Sequence, residues 1–425
     1  MNVLTGIIYV FTFLSVYVQV FFLITFLERR KNILVRSKPI ELKEYPGVTI
    51  IIPCYGAEKT ITGTMNSLLD LDYPKDKLQL IIIDDGSKDD TWQVIQKFKE
   101  NENIRIFHKE NGGKYTALNM GLKETDTPFV GCLDPDSFVD SQALKRIMTY
   151  FNDPDTMAVA PSIVVDKPKN IIQGAQKAEY DMAIYNKKML AFLGGIHVAP
   201  GPFSIFRKKV FDDLGPYRHA HNTEDQEIAL RMQENYYKIE HCPDAYVYTI
   251  APNTVKKLYR QRLRWIYGFI RNAIDYKRIF FKKKYGHVAF FTLPSGVISI
   301  LSVVFLFIML SYNLINFVIR KIMQINVIGF HNTFSGPHFD LFFFNTKMIV
   351  FVSILLYTSV IFSLLLGRKM LEGKFRVSFD IFYFMIIYSL IAPFWILKAL
   401  LNATRSKESS WTLEIDKRDK KMAKQ

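Results

Sequence analysis

Four long apolar stretches around one polar region constrain this chain more than any other feature of its sequence. Residues 3–27 are apolar almost without interruption, and further apolar stretches cover 288–319, 346–366 and 378–402. About 20 apolar residues in a row suffice to cross the roughly 30 Å hydrocarbon core of a bilayer as a helix. The first stretch has neither the positive start nor the small-residue cleavage site of a signal peptide. We therefore predict membrane helices on both sides of a polar domain.

Charge and cysteine content narrow the class of protein further. The net charge is +15 and the isoelectric point is near 9.4, a balance that suits nucleic acid or an anionic membrane face. The basic residues crowd beside the apolar stretches, which favours the lipid bilayer as the partner and no nucleic acid. Cys54, Cys132 and Cys242 are scattered without metal-binding spacing. They indicate a reduced, cytosolic setting rather than a disulfide framework.

The basic residues also predict the orientation. Glu28-Arg29-Arg30-Lys31 directly follows the first apolar stretch, and Gly367-Arg368-Lys369 follows the third. Because cytosolic flanks carry an excess of Lys and Arg, we expect segment 28–285 to be cytosolic and 320–345 external, in the plasma membrane. The predicted order is a transmembrane helix (1–27), a cytosolic catalytic domain (28–253), an amphipathic interface helix (254–285), a transmembrane region (286–402) and a basic cytosolic tail (403–425).

The last apolar stretch conflicts with this charge rule. If 378–402 crossed the membrane, it would export a tail rich in lysine and arginine. Pro393 lies near its middle, and a broken, re-entrant hairpin there would return the tail to the cytosol. We therefore expect a hairpin rather than a straight span. The basic residues of the tail are Arg405, Lys407, Lys417, Arg418, Lys420, Lys421 and Lys424.

The region from about 45 to 250 alternates short apolar runs with helical patterns. Such alternation is typical of an α/β domain with a parallel sheet. The predicted strands are 47–53, 78–85, 103–108 and 128–134, and the predicted helices are 58–70, 89–100 and 114–124.

Residues 254–281 carry the pattern of one amphipathic helix. At about 100° per residue, an apolar stripe faces away from Gln261, Arg264 and Trp265. We expect this helix to lie in the headgroup region, with its stripe in lipid and its other side toward the α/β domain. A core helix with a solvated basic face is the alternative. The stripe consists of Val255, Tyr259, Leu263, Ile266, Ile270 and Ile274.

Unusual polar segments follow the predicted strands at the points where they end. In an open parallel sheet, ligands bind at the carboxyl ends of the strands. Any one of these segments alone would fit ordinary turn chemistry, but four at one sheet edge predict a binding site. They are Pro53-Cys54-Tyr55-Gly56, Asp84-Asp85-Gly86, Asn111-Gly112-Gly113-Lys114 and Asp134-Pro135-Asp136.

The chemistry of these segments indicates a metal and a diphosphate. Asp134 and Asp136 are two apart on a segment expected to be extended, so both side chains can face one side. Paired carboxylates suit Mg²⁺ or Mn²⁺, which keeps waters and bridges phosphate oxygens. Lys114, at a helix start after two glycines, suits an anionic group, although a solvated helix residue is the plainer interpretation. Together they predict transfer from a nucleotide diphosphate, with the metal stabilising the departing group.

In this order, the motifs resemble those of the inverting family 2 glycosyltransferases, above all the processive membrane polysaccharide synthases. The resemblance implies an α/β fold, a Rossmann-like nucleotide-sugar transferase domain of the glycosyltransferase A type, with flanking transmembrane helices. The matching motifs are Asp85 after the second strand, Asp134-Pro135-Asp136, Thr223-Glu224-Asp225, and the run from Gln261 to Trp265.

The resemblance also implies a role for each matching residue. Asp225 looks like the general base that deprotonates the acceptor hydroxyl, and Asp136 with Asp134 looks like the metal site. A sugar hydroxyl is a poor nucleophile, which a positioned carboxylate assists, although Thr223 and Asp225 also suit the start of a helix as a cap. The donor or nucleotide contacts look like Pro53, Tyr55, Asp84, Asp85, Lys114 and Asp134, and the acceptor or diphosphate contacts like Glu224, Gln261, Arg264 and Trp265.

One segment departs from the family's pattern. The family has Pro-x-Tyr-Asn-Glu after the first strand, whereas this chain has Gly56 and Ala57 at the Asn and Glu positions. A polar contact to the nucleotide is therefore either missing or supplied by Glu58. The departure concerns nucleotide recognition and leaves the reaction class unchanged.

The resemblance implies transfer of a sugar, first of all N-acetylglucosamine, from a UDP-sugar to a growing β-linked polysaccharide with inversion. Coupled export and an accessory membrane subunit are compatible with it. One span before the domain and several after it resemble the layout of poly-N-acetylglucosamine synthases. A non-processive transferase that glycosylates a lipid or lipid phosphate is the first alternative. A nucleotide-binding transporter is the second, and it predicts ionisable residues deep in the spans, of which the sequence shows few.

Overall fold

In the computed structural model, which describes residues 3–33, 39–328 and 348–405, a mixed α/β domain is flanked by long apolar helices. This architecture agrees with the predicted fold class. The helices are α1 (Val3–Arg29), α2 (Ile61–Leu69), α3 (Thr91–Gln96), α4 (Lys114–Lys123), α5 (Ala143–Met148), α6 (Ile171–Phe192), α7 (Lys209–Leu214), α8 (Glu224–Glu234), α9 (Val255–Asp275), α10 (Leu293–Ile328), α11 (Met348–Glu372) and α12 (Phe379–Thr404). The strands are β1 (Val48–Cys54), β2 (Leu78–Asp84), β3 (Ile104–His108), β4 (Phe129–Cys132), β5 (Ser137–Val139), β6 (Thr156–Val165), β7 (Ile205–Arg207) and β8 (Lys238–Thr249).

The strands of the described residues form one sheet in the order β3-β2-β1-β4-β7-β6-β8-β5. The first four are parallel, as predicted. The other half is mixed, because β7 runs antiparallel to both β4 and β6, and β5 runs antiparallel to β8. The sequence prediction had no strand in this half. A strand of three residues, such as β5 or β7, is too short for an apolar pattern to reveal it.

Two apolar cores cover the two faces of the sheet. Ile50 and Ile52 of β1 pack on one face with Ile61 of α2. Ile51 packs on the other face with Ala117 of α4, since successive strand residues point to opposite sides. The buried strands are therefore apolar on both faces, which is typical of a sheet between helical layers. Their carboxyl ends meet at one edge, where the polar segments lie.

The amphipathic helix α9 ends at Asp275, earlier than predicted, and short turns follow it. The side chain of Thr254 begins it by accepting a hydrogen bond from the Lys257 backbone nitrogen. We had expected the apolar stripe of α9 to face lipid along its whole length, and the structure shows that it does not. Val255 and Ile274 at the ends are exposed, but the middle of the stripe packs against α12. An amphipathic pattern indicates that the apolar face of a helix is covered, but it does not indicate whether lipid or another helix covers it.

Four helices, α1, α10, α11 and α12, are long and apolar enough to cross a membrane, so this is a multi-pass membrane protein. The expected hairpin at Pro393 is wrong, because α12 is one continuous helix with Pro393 inside it. Proline removes one backbone hydrogen bond, and a helix in an apolar setting tolerates it when neighbours satisfy the freed group. Most of segment 320–345 and the tail beyond Arg405 lie outside the described residues.

Arg368 joins the membrane helices to the domain. We had expected it to be a cytosolic flank of α11, but its side chain is buried. Its Nε donates to the Asp181 carboxylate of α6 at 2.9 Å, and its Nη2 pairs with Asp380 of α12. The same helices approach closely, since a Cβ at Gly367 would collide with the Asp181 backbone. One guanidinium thus ties α6, α11 and α12 together.

Candidate active site

A cavity of about 520 Å³ opens at the carboxyl ends of the strands, within the usual size of a ligand pocket, roughly 300–1,000 Å³. Both halves of the sheet, α6 and α9 contribute to its walls. Pro53, Asp84 and Asp85 do not line it, whereas the other predicted site residues do. Those lining residues are Tyr55, Lys114, Asp134, Asp136, Glu224, Asp225, Gln261, Arg264 and Trp265.

Lys114 connects two parts of the site, the donor half around Asp134 and the part around Glu224 and Asp225. It is the first residue of α4, and its Nζ lies 2.6 Å from Asp134 Oδ1 and 3.3 Å from Glu224 Oε1. Burial disfavours the charge, but Asp134 and Glu224 outweigh it and hold the pKa of Lys114 well above its ordinary value. Gly201 makes room for the ammonium, because an added Cβ would lie 2.8 Å from it. The plainer interpretation of Lys114 as a solvated residue is therefore wrong.

Asp84 and Asp85 hold the loop that leads into α4. The Asp84 carboxylate contacts His108 Nδ1 at 2.7 Å and accepts from the Ser87 backbone nitrogen. Asp85 accepts hydrogen bonds from Lys109 Nζ and from the backbone nitrogens of two glycines. Both carboxylates are buried. In this structure they shape the loop behind the cavity, and Pro53 lies buried within β1.

The departure from the family pattern has a structural outcome. Glu58 Oε2 accepts from the Asp90 backbone nitrogen at 3.2 Å, and Glu58 does not line the cavity. Gly56 takes a positive φ of 64° and donates its backbone N–H to Ser87 Oγ. Because Gly56 itself lines the cavity, backbone atoms stand where the family has a polar side chain.

Asp134 and Asp136 both line the cavity but lie in a turn rather than on an extended segment. The turn closes with a hydrogen bond from the Ser137 backbone nitrogen to the Asp134 carbonyl. The Asp136 side chain is exposed to the cavity. Partial desolvation by the cavity walls, together with the charge of Asp134, raises its pKa to about 6. Two neighbouring carboxylates that repel one another fit a hard divalent cation, which needs only one or two carboxylates besides phosphate and water.

The described residues hold no cluster of three or more His, Cys, Asp or Glu side chains suited to a metal. A cation bound chiefly by Asp136 would therefore take most of its ligands from the diphosphate and from water. Asp134 is already engaged by Lys114 at 2.6 Å.

Asp225 lies in the first turn of α8 and faces the same cavity. Burial raises its pKa above the ordinary value, and the neighbouring Glu224 raises it further, while Lys114 and Arg264 lower it. The Gln226 backbone nitrogen donates a hydrogen bond to Asp225 Oδ1 at 2.9 Å. A carboxylate with a raised pKa is a stronger base.

The loop before Asp225 has an unusual backbone. Ala220, His221 and Asn222 all take positive φ angles, of 43°, 56° and 62°. Non-glycine residues in this region cost energy and persist only where the surroundings hold them. Thr223 occupies the N-cap position of α8, as the capping interpretation predicted, but its side chain makes no capping hydrogen bond.

Helix α9 holds this loop in place. Arg264 Nη1 donates to the Asn222 carbonyl at 2.8 Å, and Asn272 Nδ2 donates to Thr223 Oγ1 at 3.0 Å. Gly268 lets the two segments approach, since an added Cβ would lie only 2.3 Å from Thr223 side-chain atoms. Helix α9, which carries the run from Gln261 to Trp265, therefore supports the loop that leads into Asp225.

The floor of the cavity carries an aromatic ring and an unpaired oxygen. The Gln261 Oε1 atom is buried and has no hydrogen-bond partner among the described residues. The Arg262 guanidinium lies 4.1 Å from the Trp265 ring centre. Its Nη2 also pairs with Glu179 of α6 and lies 3.2 Å from Tyr388 Oη of α12. An apolar ring beside a free acceptor suits a sugar, which has both apolar faces and hydroxyls.

One wall of the cavity went unpredicted. Glu179, Tyr180, Ala183 and Lys187 lie on one face of α6. Their spacing of three or four residues was a readable signal for a helical face. Burial lowers the pKa of Lys187 to about 8, although the negative charge of Asp225 acts to raise it.

Comparisons with known proteins agree with this geometry. Residues 49–215 match the profile of glycosyl transferase family 2. A poly-beta-1,6-N-acetyl-D-glucosamine synthase of Staphylococcus epidermidis is 28% identical over 339 residues, which are 78% of this chain and 77% of that protein. The enzyme of that name from Staphylococcus aureus strain COL is 32% identical over 260 residues, 60% of this chain and 63% of that protein.

A solved structure shares the fold. The mannosyltransferase from Pyrobaculum calidifontis, in complex with GDP-Man and Mn²⁺, has a TM-score of 0.61 at 15% identity. The match covers 96% of this chain and 98% of that one. The family resemblance inferred from the motifs is thus confirmed. The segment 49–215 belongs to glycosyl transferase family 2, and the chain is a membrane glycosyltransferase related to the poly-beta-1,6-N-acetyl-D-glucosamine synthases.

Proposed function

We propose that this enzyme transfers N-acetylglucosamine from a UDP-sugar to a growing β-linked polysaccharide, with inversion at the anomeric carbon. The observation that carries the proposal is the joining of two halves in one cavity. Lys114 contacts both Asp134, which we assign to the donor, and Glu224, the neighbour of the proposed base. Gln261, Arg264 and Trp265 form the floor beneath Asp225. A donor and an acceptor can therefore meet beside one carboxylate.

The proposed reaction is a direct displacement. Asp225 takes the proton from the acceptor hydroxyl, whose oxygen forms a bond to the anomeric carbon as the bond to the diphosphate oxygen breaks. The electron pair of the broken bond leaves on the diphosphate. One base suffices, because attack from the face opposite the leaving group needs no covalent intermediate. Lys114 and Arg264 place positive charge near the departing group.

We propose that Mg²⁺ or Mn²⁺ assists, held chiefly by Asp136 with help from Asp134. The ion would supply positive charge to the departing diphosphate. Asp136→Asn should weaken nucleotide binding in Mg²⁺, and an excess of chelator should abolish transfer by the unaltered enzyme. Calorimetric titration of UDP with and without Mg²⁺ gives a readout apart from activity. Full activity of Asp136→Ala in excess chelator would rule the metal out.

The donor sugar and the length of the product are tested together. Purified enzyme is incubated with a panel of radiolabelled nucleotide sugars, and the products are sized on a gel. We expect incorporation from UDP-N-acetylglucosamine into a ladder or smear of long chains. A single labelled lipid product would instead identify a non-processive transferase. Incorporation from another donor only would overturn the proposed sugar and leave the reaction class standing.

We propose that the domain faces the cytosol of the plasma membrane, where nucleotide sugars are made. The support is the run of Arg29, Arg30 and Lys31 at the end of α1, since cytosolic flanks are rich in basic residues. A transporter function has less support, because the polar residues gather in the domain rather than in the middle of the apolar helices.

A further inference from the structure

We infer that α12 does not cross the bilayer, and that it lies along the cytosolic membrane surface beneath the catalytic domain. Its apolar outer face would contact the lipid of that leaflet. The side of the membrane rests on the proposed function, which places the domain in the cytosol. The lateral placement of α12 rests on its own contacts.

Both ends of α12 contact the domain and its supports. At the N-terminal end, Asp380 pairs with the buried Arg368, and Tyr383 packs against Gly174 of α6. At the C-terminal end, Ala399 and Ala403 pack against Tyr267 of α9. The Tyr267 ring lies 6.2 Å from the ring of His221, in the loop before the base.

The length of α12 makes these contacts informative. A helix of 26 residues is about 39 Å long, longer than the roughly 30 Å hydrocarbon core. If α12 crossed that core, one of its ends would lie on the far side, away from the domain. Both ends of α12 contact helices that pack against the domain, namely α6 at one end and α9 at the other. We therefore infer that α12 runs along the domain.

The middle of α12 keeps the same neighbours. The Tyr388 hydroxyl lies 3.2 Å from Arg262 Nη2, and the Trp395 ring makes an edge contact with Tyr259 at 6.4 Å between centres. Trp395 and Ile396 are buried. The helix therefore packs first along α6 and then along α9, and its Phe394 also contacts Phe307 of α10 at 5.1 Å between ring centres.

Exposure distinguishes α12 from α10, whereas α1 also has a single exposed face. Beyond residue 308, α10 is exposed on almost every side, including the consecutive residues Leu314 and Ile315. This is expected of a helix that projects into lipid. In α12 the exposed positions recur every three or four residues over the full length, so one face alone is open. These exposed residues are Phe379, Phe382, Ile386, Ser389, Leu390, Phe394, Lys398, Leu401 and Thr404.

The chemistry of this face fits a bilayer surface. Large apolar side chains dominate it, and exposed Lys398 and Arg405 lie toward its C-terminal end. Apolar residues with basic flanks bind the boundary between headgroups and acyl chains, about 5–10 Å deep. Anionic headgroups attract the basic residues. Helix α12 thus covers the stripe of α9 from one side and meets lipid with the other.

This placement removes the conflict with the charge rule. Helices α1, α10 and α11 would make three crossings, so the two termini would lie on opposite sides of the membrane. With the N-terminus outside, the basic residues after α12 would lie in the cytosol, as the positive-inside tendency requires. No hairpin at Pro393 is needed.

Thiol labelling tests the side on which α12 ends. The native cysteines are buried, so single exposed reporters can be compared, namely Arg405→Cys, Asp155→Cys in the domain and Asn326→Cys near the outer end of α10. With an impermeant maleimide on intact cells, we expect Asn326→Cys to react at least tenfold more than the other two. After permeabilisation all three should react.

The outcomes separate this inference from the proposed orientation. If Arg405→Cys reacts in intact cells together with Asn326→Cys while Asp155→Cys is protected, α12 crosses the membrane and the inference is wrong. If Arg405→Cys and Asp155→Cys react together in intact cells, the inference stands and the cytosolic orientation fails.

Immersion depth is the second test. Spin labels at Phe382, Ile386, Leu390 and Leu401 are measured by power saturation in vesicles of phosphatidylglycerol and phosphatidylcholine. We expect four similar depths near the headgroup boundary. A depth that reaches the bilayer centre at Leu390, about 15 Å below the headgroups, would overturn the inference. So would labels shielded from both oxygen and water, which would indicate a protein partner on this face.

Discussion

Asp136 and Asp225 are carboxylates on one cavity with different surroundings. Asp136 lies beside another carboxylate in a turn, and its pKa is raised to about 6. Asp225 begins a helix, with cations on one side and Glu224 on the other. A cation relieves repulsion between paired carboxylates, whereas a single carboxylate with a raised pKa suits proton transfer. This difference supports the roles that we propose, a metal ligand for Asp136 and a general base for Asp225.

Asp225→Asn should separate binding from turnover. Asparagine keeps the shape of the side chain but cannot take a proton. We expect kcat to fall by about 10²- to 10⁴-fold, the usual contribution of a general base, with UDP affinity nearly unchanged. Asp136→Asn is the contrasting variant and should weaken UDP binding in Mg²⁺. Loss of UDP binding and turnover together in Asp225→Asn would make Asp225 a structural or donor-binding residue.

The pH profile of kcat should report the pKa of Asp225. The base acts unprotonated, so activity falls as pH drops through a pKa that lies above the ordinary aspartate value of 3.8. Glu224→Gln removes a negative neighbour, which lowers the pKa of Asp225 and moves the acidic limb to lower pH. Arg264→Gln removes a positive neighbour and moves the limb to higher pH. An acidic limb that stays in place in both variants would exclude Asp225 as the titrating group.

At the scale of elements, α9 and the loop before the base act as one body. The loop has three successive residues with positive φ, and it is held by hydrogen bonds from Arg264 and Asn272. Contacts from α9 hold the loop in this strained conformation. The position of Asp225 therefore depends on how closely α9 approaches the loop. Gly268 sets that approach.

Gly268→Ala should therefore impair catalysis from a position that touches no substrate. Its Cβ would lie 2.3 Å from Thr223, and a displacement of about 1 Å at a reacting group costs on the order of 10²-fold in rate. UDP affinity should stay unchanged, because the donor half is untouched. Gly174→Ala is the matched control, since its Cβ meets Tyr383 at 3.4 Å, an ordinary contact. Equal kcat in both variants would show that α9 does not position the base.

At this scale, the sequence predicts the features that arise from neighbouring residues and misses those that depend on contacts distant in the chain. The glycines before Lys114 mark the start of α4, and the apolar runs of β1 and β2 mark buried strands, because these patterns arise within a few residues. The burial of Arg368 could not be predicted, since it depends on partners 187 positions away, such as Asp181. The position of Asp85 behind the cavity could not be predicted either, because the path of its loop decides whether its side chain faces the cavity.

At the scale of the whole molecule, Arg368 links the domain to the apolar helices through buried polar contacts. Arg368 reaches Asp181 in the domain, Asp380 in α12, and the Ser378 hydroxyl at 2.8 Å. All of these partners are polar, and the guanidinium is almost fully buried. Removing one member of such a set leaves the others without compensation.

Arg368→Gln should accordingly destabilise the protein as a whole. Breaking a buried ion pair by removing one partner costs about 3–5 kcal/mol, and thermal unfolding in detergent would measure the loss as a lower melting temperature. Lys374→Gln, on the exposed turn after α11, is the control and should change stability little. A melting temperature equal to that of the unaltered enzyme would mean that the domain and the membrane helices are joined mainly by apolar packing.

The stack of Arg262 on Trp265 has a consequence for how the enzyme must be handled. Arg262 lies 4.1 Å from the Trp265 ring and 3.2 Å from the Tyr388 hydroxyl of α12. The outer face of α12 is apolar, so the contacts of Tyr388 and Arg262 connect a helix that faces lipid with the Trp265 ring at the floor of the cavity. A change of detergent, acyl-chain length or lateral pressure that shifts α12 would therefore reach the acceptor site directly. Turnover should vary with the lipid environment while UDP affinity, set in the donor half, should not.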